Sequence, residues 1–254
     1  MRNYLIIDGV SSINYGVFIS GKGTFSSPAK QYEEVSVPGR NGQLLMNTEP
    51  TFGNIDVSYD AFAYDDPDKL FPRMDRTKVN DRYRTLSEKL GALRAFLNSR
   101  SGYFRLEDSY NTEEFRLAYF KKEFSPNVID NLHAATFTLT FTCKPQRFLK
   151  IGEKAVTFTG TSTLRNTTSF KALPLIRAYG TGTFEVGGTK VQIKSASSYT
   201  DIDCELMECY KGTTNCNNNV TLTNGVFPDL KPGQNTIKMT GITKLIITPR
   251  WWTI

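Results

Sequence analysis

One stretch in the first half of the chain has the sequence pattern of a long α-helix. In residues 81–100, apolar residues recur at intervals of three and four, at Tyr83, Leu86, Leu90, Leu93 and Leu97. This spacing places them on one stripe of a helix, and charged residues fill the other positions. Asn80 or Asp81 can cap the first turn, and Gly102 can adopt the left-handed conformation that ends a helix. One apolar stripe requires one partner surface, so we expect the flanking strands to form a sheet against it.

Outside this stretch, short alternating strands and turns dominate the sequence. Residues 54–64 and 135–143 each place apolar side chains on one face, as expected of half-buried strands. After residue 151, short strands recur between turn signals such as Gly187-Gly188. We therefore predict a mainly β protein of two domains. Residues 1–150 form a β domain with one helix at 81–100, and residues 151–254 form a β-sandwich.

The charge distribution argues against several classes of function. The net charge is +6, but residues 1–150 carry 20 basic and 18 acidic residues, and residues 151–254 carry 11 and 7. Acids interleave with bases, whereas a nucleic-acid surface requires clustered basic residues, so we expect no nucleic-acid specificity. No apolar run approaches the roughly 18 residues of a membrane span. Asp8 interrupts the short apolar N-terminal stretch, so we expect no signal peptide and synthesis in a cytoplasm.

The residues that usually carry catalysis or bind metals are sparse. The four cysteines form no CxxC pair, and His133 is the only histidine, so we expect no zinc site, no cofactor and no catalytic triad. His133 is expected at the surface or in a turn. Cys143 and Cys204 fall on the apolar side of predicted strands and are expected to be free thiols. A Cys209–Cys216 disulfide, formed after release from the cell, is an alternative. We predict that the protein is not an enzyme.

Three acidic residues alternate along one predicted strand. Asp201, Asp203 and Glu205 project from one face, and carboxylates two residues apart on a strand stand about 6.5–7 Å from each other. This spacing is compatible with a cation site or with the carboxylate pair of a glycosidase. The alternative is an ordinary solvent-facing strand face, with Ile202, Cys204 and Leu206 buried on the other side.

Two adjacent tryptophans, Trp251 and Trp252, lie near the last residue of the sequence. Neighbouring residues on a strand point to opposite faces, so we expect one to enter the core. The other is a candidate for capping an interface or stacking on a sugar.

A turn-rich hairpin is predicted between residues 32 and 46. Its centre contains both Pro-Gly and Asn-Gly turn signals, and its two arms mix charged and apolar residues. Such arms are expected to be only partly buried in a monomer. The turn residues are Val37, Pro38, Gly39, Arg40, Asn41 and Gly42.

This turn and several other segments together resemble the distal tail proteins of long, non-contractile-tailed bacteriophages. The similar segments are 37–45 (VPGRNGQLL), 201–206 (DIDCEL), 227–235 (FPDLKPGQN) and 249–252 (PRWW), and their order and spacing match along nearly the whole chain. Each segment alone is an ordinary turn or strand, so the resemblance depends on the set. Loop 65–80 and the Asn215–Asn219 tip match no motif of the family.

The resemblance implies a structural virion protein at the tail tip. Its N-terminal domain would form a ring of six copies around a channel, followed by a galectin-like β-sandwich. Such rings join the tail tube protein to tail-tip, tail-associated or receptor-binding proteins. Our hypothesis is that residues 33–46 pack against a neighbouring subunit, with Arg40 offering a forked donor to it. The alternative is an ordinary surface hairpin.

Two other functions remain open from the sequence. The first is a carbohydrate-binding sandwich that contacts host glycans, with Trp251 or Trp252 as the platform. Galectin-type recognition also uses a histidine, which residues 151–254 lack. The second is a hydrolase that uses the carboxylates near Asp203.

Overall fold

The computed structural model describes residues 2–20, 25–46, 51–64, 79–129, 134–195 and 198–254, with the side chains of the helix described from Arg84 onward. The chain divides into two compact units, unit 1 (Met1–Arg147 with Ile254) and unit 2 (Phe148–Thr253). His133 and residues 65–78 of the predicted loop lie outside the described residues. The mainly β fold that the sequence predicts is confirmed, and the described residues contain one α-helix.

Unit 1 contains twelve strands among its described residues. They are β1 (Leu5–Ile7), β2 (Val10–Ser11), β3 (Val17–Ser20), β4 (Lys30–Gln31), β5 (Glu34–Ser36), β6 (Gln43–Leu45), β7 (Thr51–Phe52), β8 (Ile55–Tyr64), β9 (Phe104–Asp108), β10 (Glu114–Tyr119), β11 (Asn127–Ile129) and β12 (Ala134–Cys143). A short 3-10 helix, Ser12–Tyr15, precedes β3. The next strand, β13 (Arg147–Leu149), contains the boundary between the units.

The main sheet of unit 1 is antiparallel, in the order β2-β1-β9-β10-β12-β8-β3, with β11 beside β12. Its longest ladder joins β8 to β12 over ten residue pairs, from Ala134 opposite Tyr64 to Cys143 opposite Ile55. The apolar face of each strand is buried, as its alternation predicts. On the other face, Thr142 donates a 2.6 Å hydrogen bond to Asp56.

The helix α1 spans Val79–Asn98 and packs its leucine stripe into the core of unit 1. Leu86, Leu90, Leu93 and Leu97 are each at most 7% exposed, which confirms the predicted stripe. The helix ends earlier than predicted, because Asn98 and Ser99 turn their side chains back to carbonyls of the last turn. Gly102 has the predicted left-handed conformation (φ +73°), but it lies in the connection between the end of α1 and β9 and not at the end of the helix. Among the described residues, no helix is long and apolar enough to cross a membrane.

The described residues of unit 2 contain two antiparallel sheets, and its last short strand pairs with β13 instead. Its strands are β14 (Val156–Phe158), β15 (Ser162–Asn166), β16 (Leu175–Tyr179), β17 (Gly182–Val186), β18 (Thr189–Ile193), β19 (Tyr199–Asp203), β20 (Glu208–Lys211), β21 (Thr214–Asn215), β22 (Val220–Leu222), β23 (Gly233–Thr240), β24 (Lys244–Thr248) and β25 (Trp252–Thr253). One sheet has the order β14-β24-β16-β19-β20-β21 and the other β15-β23-β17-β18-β22. Short 3-10 helices at Lys150–Glu153, Asn217–Asn219 and Thr223–Gly225 complete it.

One apolar core lies between these sheets, as the alternation of their strands requires. Ile176 and Ile247 from the first sheet and Phe184 and Ile237 from the second are each at most 1% exposed and belong to one cluster. The predicted Gly187-Gly188 turn is present, and it joins β17 to β18. Both glycines have positive φ, as a two-residue hairpin loop requires.

Candidate assembly surface

A small two-stranded hairpin, formed by β5 and β6, contains the turn predicted at 37–42. The backbone N–H of Arg40 donates to the carbonyl of Val37 at 3.1 Å, and Gly39 has φ +80°. Proline at the second position and a positive-φ glycine at the third define a type II turn. The predicted hairpin is confirmed, and all six residues 37–42 are exposed at its tip.

The register of the hairpin defines two faces: one carries Val35, Leu44 and Met46 beside Glu33, and the other carries Leu45 beside Glu34, Ser36 and Gln43. Val35 lies opposite Leu44, and the N–H of Met46 donates to the carbonyl of Glu33 one step further along. Val37 lies two residues beyond Val35 on the same face. The face formed by Val35, Val37, Leu44 and Met46 is called the arm face below.

The arm face is poorly covered by the chain itself. Val35 and Val37 are each 38% exposed and Met46 is 57% exposed. The strands β5 and β6 pair only with each other among the described strands. An isolated hairpin is marginal in water, and contiguous exposed apolar side chains usually mark an interaction surface. The partial burial that the sequence predicts for these arms is confirmed, since Leu44 is half-buried and the other three apolar side chains keep a large exposed fraction.

The acidic strand residues Asp201 and Asp203 are buried and paired with arginines. Arg177 of β16 lies directly opposite Asp201 and donates to both carboxylate oxygens, at 2.7 and 2.8 Å. Arg250 donates to both oxygens of Asp203 at the same two distances. Asp201 is 3% and Asp203 is 2% exposed, so the predicted solvent-facing role is wrong. Such forked pairs fix the geometry of both partners.

Glu205 does not share the strand with these two residues. The strand β19 ends at Asp203, whose Oδ1 atom accepts hydrogen bonds from the N–H groups of Glu205 and Leu206, both at 3.1 Å. This Asx-type turn leaves Leu206 64% exposed, against the prediction that it is buried. Among the described residues, no three His, Cys, Asp or Glu side chains are arranged to hold a metal ion.

The pair with Arg250 also shifts the pKa of Asp203. Burial pushes the pKa of Asp203 upward, but the hydrogen bonds from Arg250 and from the backbone of Leu206 outweigh burial and hold that pKa below its usual range. The hydrogen bond to Asp201 raises the pKa of Arg177. Both carboxylates are thus held by cations of the same chain, which is an arrangement typical of a structural ion pair.

The two tryptophans separate as predicted for adjacent strand residues. Trp251 is 7% exposed and belongs to the core of unit 2. Trp252 stacks on Phe170, with ring centroids 4.4 Å apart and planes 17° apart, and its indole N–H donates to the carbonyl of Lys171 at 2.9 Å. The Phe170 ring thus occupies one face of the Trp252 indole.

The cysteines are free thiols, and those predicted to be buried are buried. Burial raises the pKa of Cys143 to about 12 and that of Cys209 to about 11. Cys209 and Cys216 lie across one hairpin, where the N–H of Cys216 donates to the carbonyl of Cys209 at 2.7 Å.

Comparisons with known proteins find similarity in structure and none in sequence. No protein-family model and no curated protein matches the chain. The crystal structure of the Dit protein of phage SPP1, described as a hub of the adsorption apparatus in phages that infect Gram-positive bacteria, aligns with a TM-score of 0.68. The alignment covers 100% of both chains at 14% sequence identity. A chain of the activated phage p2 baseplate aligns with a TM-score of 0.48 at 9% identity, over 97% of both chains. The resemblance inferred from the sequence is thereby confirmed at the level of fold: the chain shares its fold, along its whole length, with the SPP1 distal tail (Dit) hub protein.

Proposed function

We propose that this chain is a distal tail protein, which forms a hub between the tail tube of a bacteriophage and its tail-tip or baseplate proteins. The observation that carries this proposal is the alignment with SPP1 Dit over the full length of both chains. An alignment over both units requires that the two proteins contain the same two folded units in the same order. Proteins that share only a single domain would not align over their full length. The four sequence motifs that resemble the family support the same assignment.

We infer that six copies assemble into a ring through the arm face. The arm is a surface element with exposed apolar side chains, which a neighbouring copy would remove from water. Closed rings of more than two copies use one surface of each copy against a different surface of the next, and the arm face can serve as one of these two surfaces. Arg40, at the exposed tip, presents a planar fork of donors that fits a carboxylate or carbonyl groups on the next subunit.

The mass of the purified protein in solution tests this proposal. We expect a concentration-dependent shift from one copy of the 28.6 kDa chain toward six copies. Arg40→Glu should weaken the oligomer, while Arg40→Lys, which keeps the charge and loses the fork, should weaken it less. An Arg40→Glu protein that assembles like wild type at low micromolar concentration would remove Arg40 from the interface.

The sandwich of unit 2 is proposed as a galectin-like platform for tail-tip or receptor-binding proteins. In this proposal the protein has no catalytic role and is located in the virion. The tryptophan pair supports a packing role over sugar stacking, because Trp251 is in the core and Trp252 is stacked on Phe170. A glycan array with the full-length protein discriminates between the two functions, and specific binding there would favour the carbohydrate-binding alternative.

A further inference from the structure

An apolar groove lies between helix α1 and the segment that leads into β11. Leu86 and Leu90 line it from the helix, and Phe124, Pro126 and Val128 line it from the other side. The groove has a volume of about 180 Å³. A cavity of about 150 Å³ with an aliphatic and aromatic lining binds benzene, so the groove has room for one large apolar side chain. It is called the helix groove below.

A glycine in the middle of α1 leaves space in the helix groove. Gly91 lines the groove and its φ is not positive. An alanine methyl at this position would lie more than 4 Å from every described atom outside its own helical turn. Glycine inside a helix is destabilising relative to alanine, because it loses more backbone freedom on folding. Neither the helix conformation nor packing among the described residues requires this glycine, so a group from another molecule can approach the helix closely here.

The helix groove and the arm face are complementary in polarity and in charge. Arg94 is exposed and is the one charged residue among the described residues that line the groove. On the hairpin, Glu33 lies on the same face as Val35 and is opposite Met46, whose N–H donates to its carbonyl. Met46 is 57% exposed, and its unbranched side chain suits an irregular apolar space. An apolar groove with a basic edge thus matches an apolar face with an acidic edge.

We propose that the helix groove receives the arm face of a neighbouring copy of this chain, with Met46 in the apolar space and Glu33 beside Arg94. The inference rests on the proposed function, because a ring requires each copy to offer a second surface that differs from the arm face. The helix groove is that second surface. Since the arm and the groove belong to the same chain, the contact repeats from copy to copy until the ring closes.

The first test fills the helix groove in the full-length protein. Gly91→Leu places a large side chain in the groove and should lower the association constant between copies at least about tenfold. Gly91→Ala, the matched control, adds only a methyl group and should assemble within about threefold of wild type. Where the chains are unassembled, Gly91→Ala should melt about 1–4 °C higher than wild type, because alanine favours the helix, and Gly91→Leu should melt no lower than wild type.

The second test exchanges the two charges. Arg94→Glu and Glu33→Arg should each lower the association constant at least about fivefold, because each places like charges across the contact. The double variant restores an opposite pair and should recover assembly to within about threefold of wild type. Arg84→Glu, at an exposed helix position outside the groove, should assemble like wild type.

The outcomes separate this inference from the proposed ring. Loss of assembly in Gly91→Leu, with recovery in the double charge variant, supports the helix groove as the partner of the arm. Wild-type assembly by Gly91→Leu, while Val35→Asp stays a single copy, overturns the groove and leaves the ring in place. A lower melting temperature of unassembled Gly91→Leu means that the chain itself fills the groove, which also overturns the inference. A wild-type protein that never assembles overturns both proposals.

Discussion

The arm face gives the sharpest prediction, which is that Val35→Asp disrupts assembly. Val35 lies at the centre of the arm face, opposite Leu44, and 38% of it remains exposed in the single chain. Full burial of a valine side chain is worth about 1.5–3 kcal/mol, so burying the remaining exposed part contributes about 0.6–1 kcal/mol. An aspartate there also leaves an unpaired carboxylate in the interface, at a cost of at least about 1–3 kcal/mol.

Together these terms weaken each contact between copies by about 2–4 kcal/mol, or about 30- to 700-fold in the association constant. The assay is sedimentation velocity or light scattering over a concentration series. The series runs from about one to one hundred times the concentration at which half of the wild-type chains are assembled. We expect Val35→Asp to remain a single copy where wild type is assembled. Circular dichroism should show an unchanged fold, because the arm lies outside the core clusters of both units.

The matched control is Ser36→Asp. Ser36 is the next residue on the same strand, is exposed and points to the opposite face of the hairpin, so this variant adds the same charge without entering the arm face. It should assemble like wild type. Equal assembly of Val35→Asp and wild type, or equal loss in both variants, would refute the assignment of the arm face.

Three further predictions concern stability and thiol reactivity. Asp203→Asn should destabilise the fold by about 1–3 kcal/mol at neutral pH, because it removes the forked pair with Arg250 and leaves that guanidinium only Glu205, at 3.7 Å. The pKa of Asp203 is lower in the folded than in the unfolded protein, so its contribution to the free energy of unfolding is complete above the unfolded value of about 3.9. That contribution is lost as pH falls through the folded pKa. In urea unfolding, the difference in stability between wild type and Asp203→Asn should therefore shrink at acid pH. In the same assay, Leu93→Ala should lower the free energy of unfolding by about 2–5 kcal/mol, because Leu93 is fully buried. The exposed neighbour gives the control, and Arg94→Ala should lower it by less than about 0.5 kcal/mol. Equal losses in the two variants would contradict the orientation of the helix. Cys143 should resist thiol reagents at pH 8 in the folded protein and react in denaturant, because burial raises its pKa to about 12.

The parts of the fold that were predictable from the sequence are those specified by local periodicity. The stripe from Leu86 to Leu97 and the alternation of 55–64 and 135–143 each indicated which face is buried, and the structure agrees. Proline and glycine at fixed turn positions located the hairpin at 37–42.

The sequence could not supply what depends on the pairing of distant strands. Asp201 and Asp203 have the alternating pattern of a solvent-facing strand face. Only the pairing of β19 with β16, and the position of Arg250 beside Asp203, show that both carboxylates belong to buried ion pairs. The arm face has a sequence signal, because Val35, Val37, Leu44 and Met46 alternate on both arms. Identifying it, however, requires the register across the turn.

The central claim is that this chain assembles into a hub ring through its arm face. Native mass spectrometry of the full-length protein, run beside Val35→Asp across the same concentrations, tests it most directly. We predict a closed species of six copies for wild type and a single copy for the variant. A wild-type protein that stays a single copy at every concentration, or a six-copy species that Val35→Asp leaves intact, would contradict this claim.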